Sequence, residues 1–161
     1  MKLRSRKWFG TLLFFVSLPG LYAYLRLEER TRVVITVGDE VLMLKGWYGS
    51  NRWMLPGGGA HQDETALMAA IREVREETGI KLRESNLQVL ESSQQWDTFG
   101  LRYMCHSFGV ALPRKPTLNI ENPEISHAAW LPVRKVAHAE TSALKVSRRA
   151  VAAWSKAQNL L

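Results

Sequence analysis

The chain has 161 residues and a net charge of +7, and 46% of its residues are hydrophobic and 23% charged. This composition is typical of a globular domain and excludes a disordered chain, a collagen-like repeat and a polytopic membrane protein. One cysteine, Cys105, excludes a disulfide framework and a cysteine-based metal site. Six basic and two acidic side chains lie in residues 1–30, so the remaining chain is only mildly basic and predicts no dedicated nucleic-acid partner.

The first thirty residues form a basic and apolar leader, which we expect to be separate from a domain at residues 31–161. Met1–Lys7 carries four cations, and residues 8–25 contain no charged side chain. A helix of this length is about 27 Å long, which is just enough to cross the hydrocarbon core of a membrane. The sequence therefore predicts an N-terminal apolar helix that attaches the protein to a membrane, with the following domain in the cytoplasm.

Three arrangements of this leader stay open. A cleaved signal peptide fits the basic start, although the apolar run has no good small-x-small cleavage site. A single transmembrane anchor fits the length and the lack of charge. A monotopic insertion fits Pro19-Gly20, because this pair breaks helices and favours a turn that returns the chain to the side from which it entered.

The rest of the sequence alternates strand-like and helical patterns. Thr31–Val37 and Glu40–Lys45 flank the turn signal Gly38-Asp39, which predicts a β-hairpin. Residues 64–78 have apolar side chains at three- and four-residue steps, which predicts a helix that Gly79 ends. Further strands are predicted at residues 87–96, 101–112 and 128–133, and a second long helix at residues 141–158. This order predicts an α/β fold in which a mixed sheet has helices on both faces.

Three carboxylates crowd one side of the first helix, because Glu73, Glu76 and Glu77 stand at positions i, i+3 and i+4. Like charges repel at this spacing, and the C-terminal part of a helix disfavours anions. A hard divalent cation such as Mg²⁺ removes this conflict by binding carboxylate oxygens. The glycine run Gly57–Gly59 precedes the helix, and such a loop lets backbone groups approach an anionic ligand. Together the two features predict a phosphate and metal site.

The segment from Gly58 to Ile80 resembles the signature of the Nudix hydrolase family, G-x5-E-x7-R-E-U-x-E-E-x-G-U, where U is a bulky aliphatic residue. Every defined position matches, with Gly58, Glu64, Arg72, Glu73, Val74, Glu76, Glu77, Gly79 and Ile80. The approach at residues 53–59 and the later Trp130-Leu131-Pro132 are also similar to Nudix domains. The resemblance implies a Nudix-type α/β/α sandwich. It also implies hydrolysis of a pyrophosphate bond in a nucleoside diphosphate linked to another moiety or in a nucleoside triphosphate.

The resemblance further implies a metal site for Mg²⁺ or Mn²⁺. Glu73 and Glu77 would be the principal ligands, and Glu76 would be a further ligand or would activate the attacking water. The backbone carbonyl of Gly57 would contribute, and Glu124 is our candidate for a carboxylate from outside the signature.

Other residues receive supporting roles from the same resemblance. Glu121 is the second candidate for the outside carboxylate, and Gly57–Gly59 would form the phosphate loop. Glu64 and Arg72 would brace the loop and the helix as an ion pair and would take no part in the chemistry. His61 lies in the loop that faces this site.

The signature leaves the substrate open beyond a small nucleoside diphosphate derivative. Two alternatives to a nucleotide hydrolase remain: a membrane-tethered, catalytically silent nucleotide-binding module, and a hydrolase of a lipid-linked diphosphate. We expect Cys105 to be a small buried side chain. Five aromatic side chains could stack on a base, but core packing is the default expectation for each of Trp47, Tyr48, Trp53, Trp96 and Tyr103.

Overall fold

The computed structural model describes residues 29–47, 51–96 and 102–160. Its strands are β1 Glu29–Val37, β2 Glu40–Gly46, β3 Gln88–Trp96, β4 Arg102–Ala111 and β5 Ile125–Pro132. Its α-helices are α1 Ala66–Thr78, α2 Val133–Ala137 and α3 Lys145–Ala157. The predicted apolar helix at residues 8–25 lies outside the described residues. No helix within the described ranges is long and apolar enough to cross a membrane.

The five strands form one mixed sheet in the order β3-β4-β1-β2-β5. β1 runs parallel to β4 from Glu29 to Thr36 and antiparallel to β2 only through Thr36 and Val37. The other neighbouring pairs, β2 with β5 and β3 with β4, are antiparallel. The predicted mixed sheet is therefore confirmed, and most of the second edge of β1 is left for another segment of the chain.

Helices cover both faces of this sheet. Side chains alternate between the faces of a strand, so neighbouring residues of β1 enter different cores. Val33 packs in one core with Val74 of α1. Val34 packs in the other core with Val151 and Trp154 of α3. The α/β/α arrangement is confirmed, and it places α1, which carries the signature, on the face opposite α3.

Local capping sets the ends of α1. The Thr65 hydroxyl accepts a hydrogen bond from the Met68 N–H at 3.2 Å, so the helix begins just after this residue. Gly79 has φ 75° and donates its N–H to the Arg75 carbonyl, which ends the helix as predicted.

The second long helix begins later than predicted. The span predicted at residues 141–158 becomes helical only at Lys145. Before it, the Ser142 carbonyl accepts from the Trp53 N–H at 2.7 Å, and the Leu144 N–H donates to the Trp53 carbonyl at 2.9 Å. These extended contacts with a distant segment hold the backbone out of the helix.

The last strand begins earlier than predicted, at Ile125 rather than residue 128. Ile125 pairs with Gly46 of β2 and is only 6% exposed, so both backbone pairing and burial extend the strand. The strand ends at Pro132, and the short helix α2, which the sequence pattern did not predict, follows directly.

Candidate metal and phosphate site

The glycine segment lies along the free edge of β1. The Thr31 N–H donates to the Gly58 carbonyl at 2.7 Å, and the Val33 N–H donates to the Pro56 carbonyl at 2.9 Å. Through these hydrogen bonds the glycine segment pairs with β1 as a neighbouring strand would. The glycine backbone is therefore fixed beside the sheet, next to the helix that carries the carboxylates.

Two glycines are required by close contacts. Gly57 has φ +133°, and a Cβ atom there would lie 2.3 Å from the Thr31 carbonyl oxygen. A Cβ atom on Gly58 would lie 2.6 Å from the Glu73 carboxylate. The absence of side chains brings the backbone of the loop against the first acidic residue of the signature.

Glu77 is the buried carboxylate of the site, with 7% of its surface exposed. Its Oε2 accepts a hydrogen bond from the Gly57 N–H at 2.8 Å. Burial raises the pKa of Glu77 to about 7, and repulsion by Glu73 and Glu124 adds to this, while the Gly57 hydrogen bond and the Arg32 charge oppose it. The charges of Glu73 and Glu124 therefore both act on Glu77.

Arg72 connects the loop with the acidic face of α1. Its Nε and Nη2 donate to the two oxygens of Glu64 at 3.0 and 2.9 Å. Its Nη1 donates to Glu73 at 2.8 Å and to Glu76 at 3.1 Å, and Nη2 also reaches the Gly59 carbonyl at 2.9 Å. The hydrogen bond from Arg72 lowers the pKa of Glu64. The resemblance implied the ion pair of Arg72 with Glu64 but not the contacts of Arg72 with Glu73 and Glu76.

Arg32 is a site residue that the sequence interpretation missed. It lies in β1, is only 9% exposed, and donates through Nη1 to the Thr31 carbonyl at 2.9 Å and to the Gly57 carbonyl. The carbonyl that we predicted as a metal ligand is therefore hydrogen-bonded to an arginine. A lone charged residue inside an apolar strand was the available signal, because a buried charge requires partners.

The two candidate outside carboxylates lie in the segment between β4 and β5. Asn119 fixes this segment to the end of α1 by donating its N–H to the Thr78 carbonyl at 2.9 Å, and its side-chain amide donates to Glu121 at 2.7 Å. The Glu124 carbonyl accepts from the Trp47 N–H at 2.9 Å. Glu124 acts on the pKa of Glu77, whereas Glu121 is tied to Asn119.

A groove of about 630 Å³ collects these groups, lined by His61, Arg72, Glu73, Glu76, Glu121, Asn122, Pro123 and Glu124. Within the part of the chain that the structure describes, no three Asp, Glu, His or Cys side chains are already arranged to hold a metal ion. Arg72 is hydrogen-bonded to Glu73 and Glu76, and Arg32 is hydrogen-bonded to the Gly57 carbonyl. The oxygen atoms of these groups are hard donors of the type that Mg²⁺ prefers, so the residues have the right chemistry for this metal. Coordination would require the Glu73 and Glu76 side chains to rotate away from Arg72.

The remaining candidates divide between buried and exposed positions. Cys105 is 1% exposed, and burial raises the pKa of its thiol, so the expectation of a buried side chain is confirmed. Core packing was the wrong expectation for Trp47 and Trp96, which are 69% and 65% exposed. Both lie at strand ends, where neither core cluster includes them.

Two kinds of curated relatives match short parts of this chain. An RNA pyrophosphohydrolase from Bartonella tribocorum is 45% identical over 47 residues, which are 29% of this chain and 25% of that protein. Diphosphoinositol polyphosphate phosphohydrolase 3-alpha from Homo sapiens is 46% identical over 43 residues, which are 27% of this chain and 26% of that protein. The matched part of the chain thus spans only about a quarter of the length of these relatives.

Solved structures extend the similarity to the whole fold. An Ap4A hydrolase from C. elegans superposes with a TM-score of 0.68 at 18% identity, covering 83% of this chain and 99% of that one. A MutT NUDIX hydrolase from Burkholderia pseudomallei gives a TM-score of 0.67 at 17% identity, covering 79% and 97%. The NUDIX domain family profile matches residues 27–154. The chain therefore belongs to the NUDIX family, as the signature indicated.

Proposed function

We propose that this domain hydrolyses a pyrophosphate bond in a nucleoside diphosphate linked to another moiety, or in a nucleoside triphosphate, with Mg²⁺ or Mn²⁺. The observation that carries the proposal is the buried Glu77, which is bonded to the glycine loop and lies within electrostatic range of Glu73 and Glu124. Family membership supports the class of reaction. The names of the relatives indicate different compounds, so a panel of candidate substrates is needed to identify the one that this domain hydrolyses.

The charges of the groove support a metal requirement. Glu73, Glu76, Glu121 and Glu124 line it beside the positive charge of Arg72, so the carboxylates outnumber the arginine and an anionic pyrophosphate needs further cations to approach. A bound Mg²⁺ would neutralise charge on the leaving phosphate and lower the pKa of the attacking water. Glu73, Glu77 and Glu124, with the Gly57 carbonyl, would hold the metal in this proposal.

The remaining residues of the site would bind the metal or the phosphate groups and keep the loop and α1 in position. The Glu76 side chain is 52% exposed and points toward the groove, where it would hold a metal or take a proton from the attacking water. The glycine backbone would bind phosphate oxygens, because its segment is fixed along β1. Arg72 and Glu64 would keep the loop and α1 in register through their paired hydrogen bonds.

A substrate panel tests the proposal. The full chain would be incubated with Mg²⁺ or Mn²⁺ and ADP-ribose, nucleotide sugars, normal and oxidised dNTPs, dinucleoside polyphosphates, NADH and isoprenyl diphosphates. We expect turnover of at least one nucleoside compound that stops in EDTA. Turnover of isoprenyl diphosphates alone would favour the lipid-linked alternative, and binding of nucleotides without turnover would favour the silent module.

We further propose that the leader attaches this domain to a membrane with the domain on the cytoplasmic side. The support is the run of uncharged residues at 8–25 and the cytosolic supply of nucleotides and Mg²⁺. A C-terminal reporter fusion and membrane fractionation test this. Recovery of the fusion in the soluble fraction would contradict attachment, and reporter activity only outside the cell would contradict the cytoplasmic orientation.

A further inference from the structure

Arg32 stands out because it is a charged side chain in an otherwise uncharged, buried part of β1. Its neighbours Thr31 and Val33 are both 0% exposed, and Arg32 itself is 9% exposed. Burying a charge is costly unless other groups compensate it. Its Nε atom is buried and has no hydrogen-bond partner among the residues that the structure describes, so backbone packing alone does not explain why an arginine is placed here.

The backbone of Gly57 links Arg32 to the carboxylate site. Its N–H donates to Glu77 at 2.8 Å, and its carbonyl accepts from Arg32. The Glu77 carboxylate and the Arg32 guanidinium are therefore both hydrogen-bonded to the backbone of Gly57.

We propose that Arg32 is a positioning residue that fixes the Gly57 backbone, and through it the hydrogen bond from Gly57 to Glu77, while no metal is bound. The proposal rests on the metal site proposed above. It has two consequences. Without metal, Arg32 stabilises the fold by holding Gly57 where its N–H reaches Glu77. With metal, Arg32 competes for the Gly57 carbonyl and repels the cation, so its removal tightens metal binding.

A double-mutant cycle in EDTA tests the first consequence with the full chain. The Tm values of wild type, R32Q, E77Q and R32Q/E77Q would be compared. We expect R32Q to lower Tm at least twice as much in the wild-type background as in the E77Q background. A merely structural arginine would lower Tm equally in both, and that result would overturn the proposal. If R32Q alone is unfolded, a folded double variant supports it and an unfolded one overturns it.

Calorimetric titration with Mg²⁺ alone tests the second consequence. We expect R32Q to bind Mg²⁺ several-fold more tightly than wild type, because a positive charge is removed and the Gly57 carbonyl becomes free. The matched control R134Q removes an exposed charge from α2 on the other face of the sheet, and its affinity should stay at the wild-type value. Unchanged or weaker binding by R32Q would overturn the proposal.

Neither measurement needs turnover, so the two proposals fail separately. A wild-type chain that does not bind Mg²⁺ would overturn the proposed metal site and the competition with Arg32. A chain that binds Mg²⁺ but hydrolyses nothing in the panel would overturn only the proposed reaction. The cycle in EDTA decides the metal-free role of Arg32 in either case.

Discussion

Gly57 donates its backbone N–H to the Glu77 carboxylate at 2.8 Å, across a separation of 20 residues. This hydrogen bond joins the glycine loop to helix α1, the two parts of the signature. It also holds a carboxylate at 7% exposure beside a backbone that has no side chain to exclude a ligand. The proposed site therefore combines one buried acid with one glycine, and the charges of Glu73 and Glu124 act on that acid.

The raised pKa of Glu77 predicts how the stability of the metal-free protein depends on pH. Between its ordinary value of 4.5 and about 7, the unfolded chain releases this proton before the folded protein does. The free energy of unfolding in EDTA should therefore fall as pH rises through this range, by on the order of 3 kcal/mol from this group. Urea unfolding in EDTA at several pH values measures this change in the free energy of unfolding.

The matched variant for that measurement is E77Q, which cannot titrate at this position. The difference in unfolding free energy between wild type and E77Q should change with pH between about 4.5 and 7 and be constant outside this window. A difference that is constant throughout would contradict the buried, proton-binding state of Glu77.

Arg72 is expected to stabilise the loop and the helix. R72Q loses paired hydrogen bonds with the largely buried Glu64 and leaves that carboxylate uncompensated. The unfolding free energy should fall by about 1.5–3 kcal/mol with an unchanged denaturant slope. R75Q, which changes an exposed arginine of the same helix, should stay within about 0.5 kcal/mol of wild type. Equal losses in both variants would refute the bracing role.

Gly109 is expected to control the packing of α3 on the sheet. A Cβ atom at this position would lie 2.2 Å from the Trp154 ring, which is 1% exposed. G109A should therefore cost about 1–3 kcal/mol of stability and shift the tryptophan emission. In the G109A/W154F double variant the smaller ring makes space, so G109A should cost less there than alone. Additive losses would contradict the contact.

Local sequence features predicted the helix of the signature well, because its information lies within the segment itself. Apolar spacing and the glycine at position 79 predicted α1, although the Thr65 cap starts it at Ala66 rather than at residue 64, and the spacing of its acids predicted the charged face. Arg32 could not be placed in this way. Its relation to Gly57 depends on the pairing of the glycine segment with β1, which joins residues 25 positions apart.

The late start of α3 has the same kind of cause. The helical pattern of residues 141–158 is real, but hydrogen bonds to Trp53 hold its first residues extended. Trp47 and Trp96 were also misplaced, because their apolar character predicts burial while their positions at strand ends leave them exposed. Local chemistry thus indicated the type of element, and long-range pairing decided its limits and surroundings.

The most direct test of the site is the turnover of E77Q and E73Q on the best substrate from the panel, measured with Mg²⁺ beside wild type and R75Q. We expect both acid variants to fold, as shown by circular dichroism, and to lose about 10²–10⁴-fold in kcat/KM. R75Q should keep the wild-type rate. A folded E77Q or E73Q variant with wild-type turnover would contradict the assignment of this carboxylate pair to the reaction.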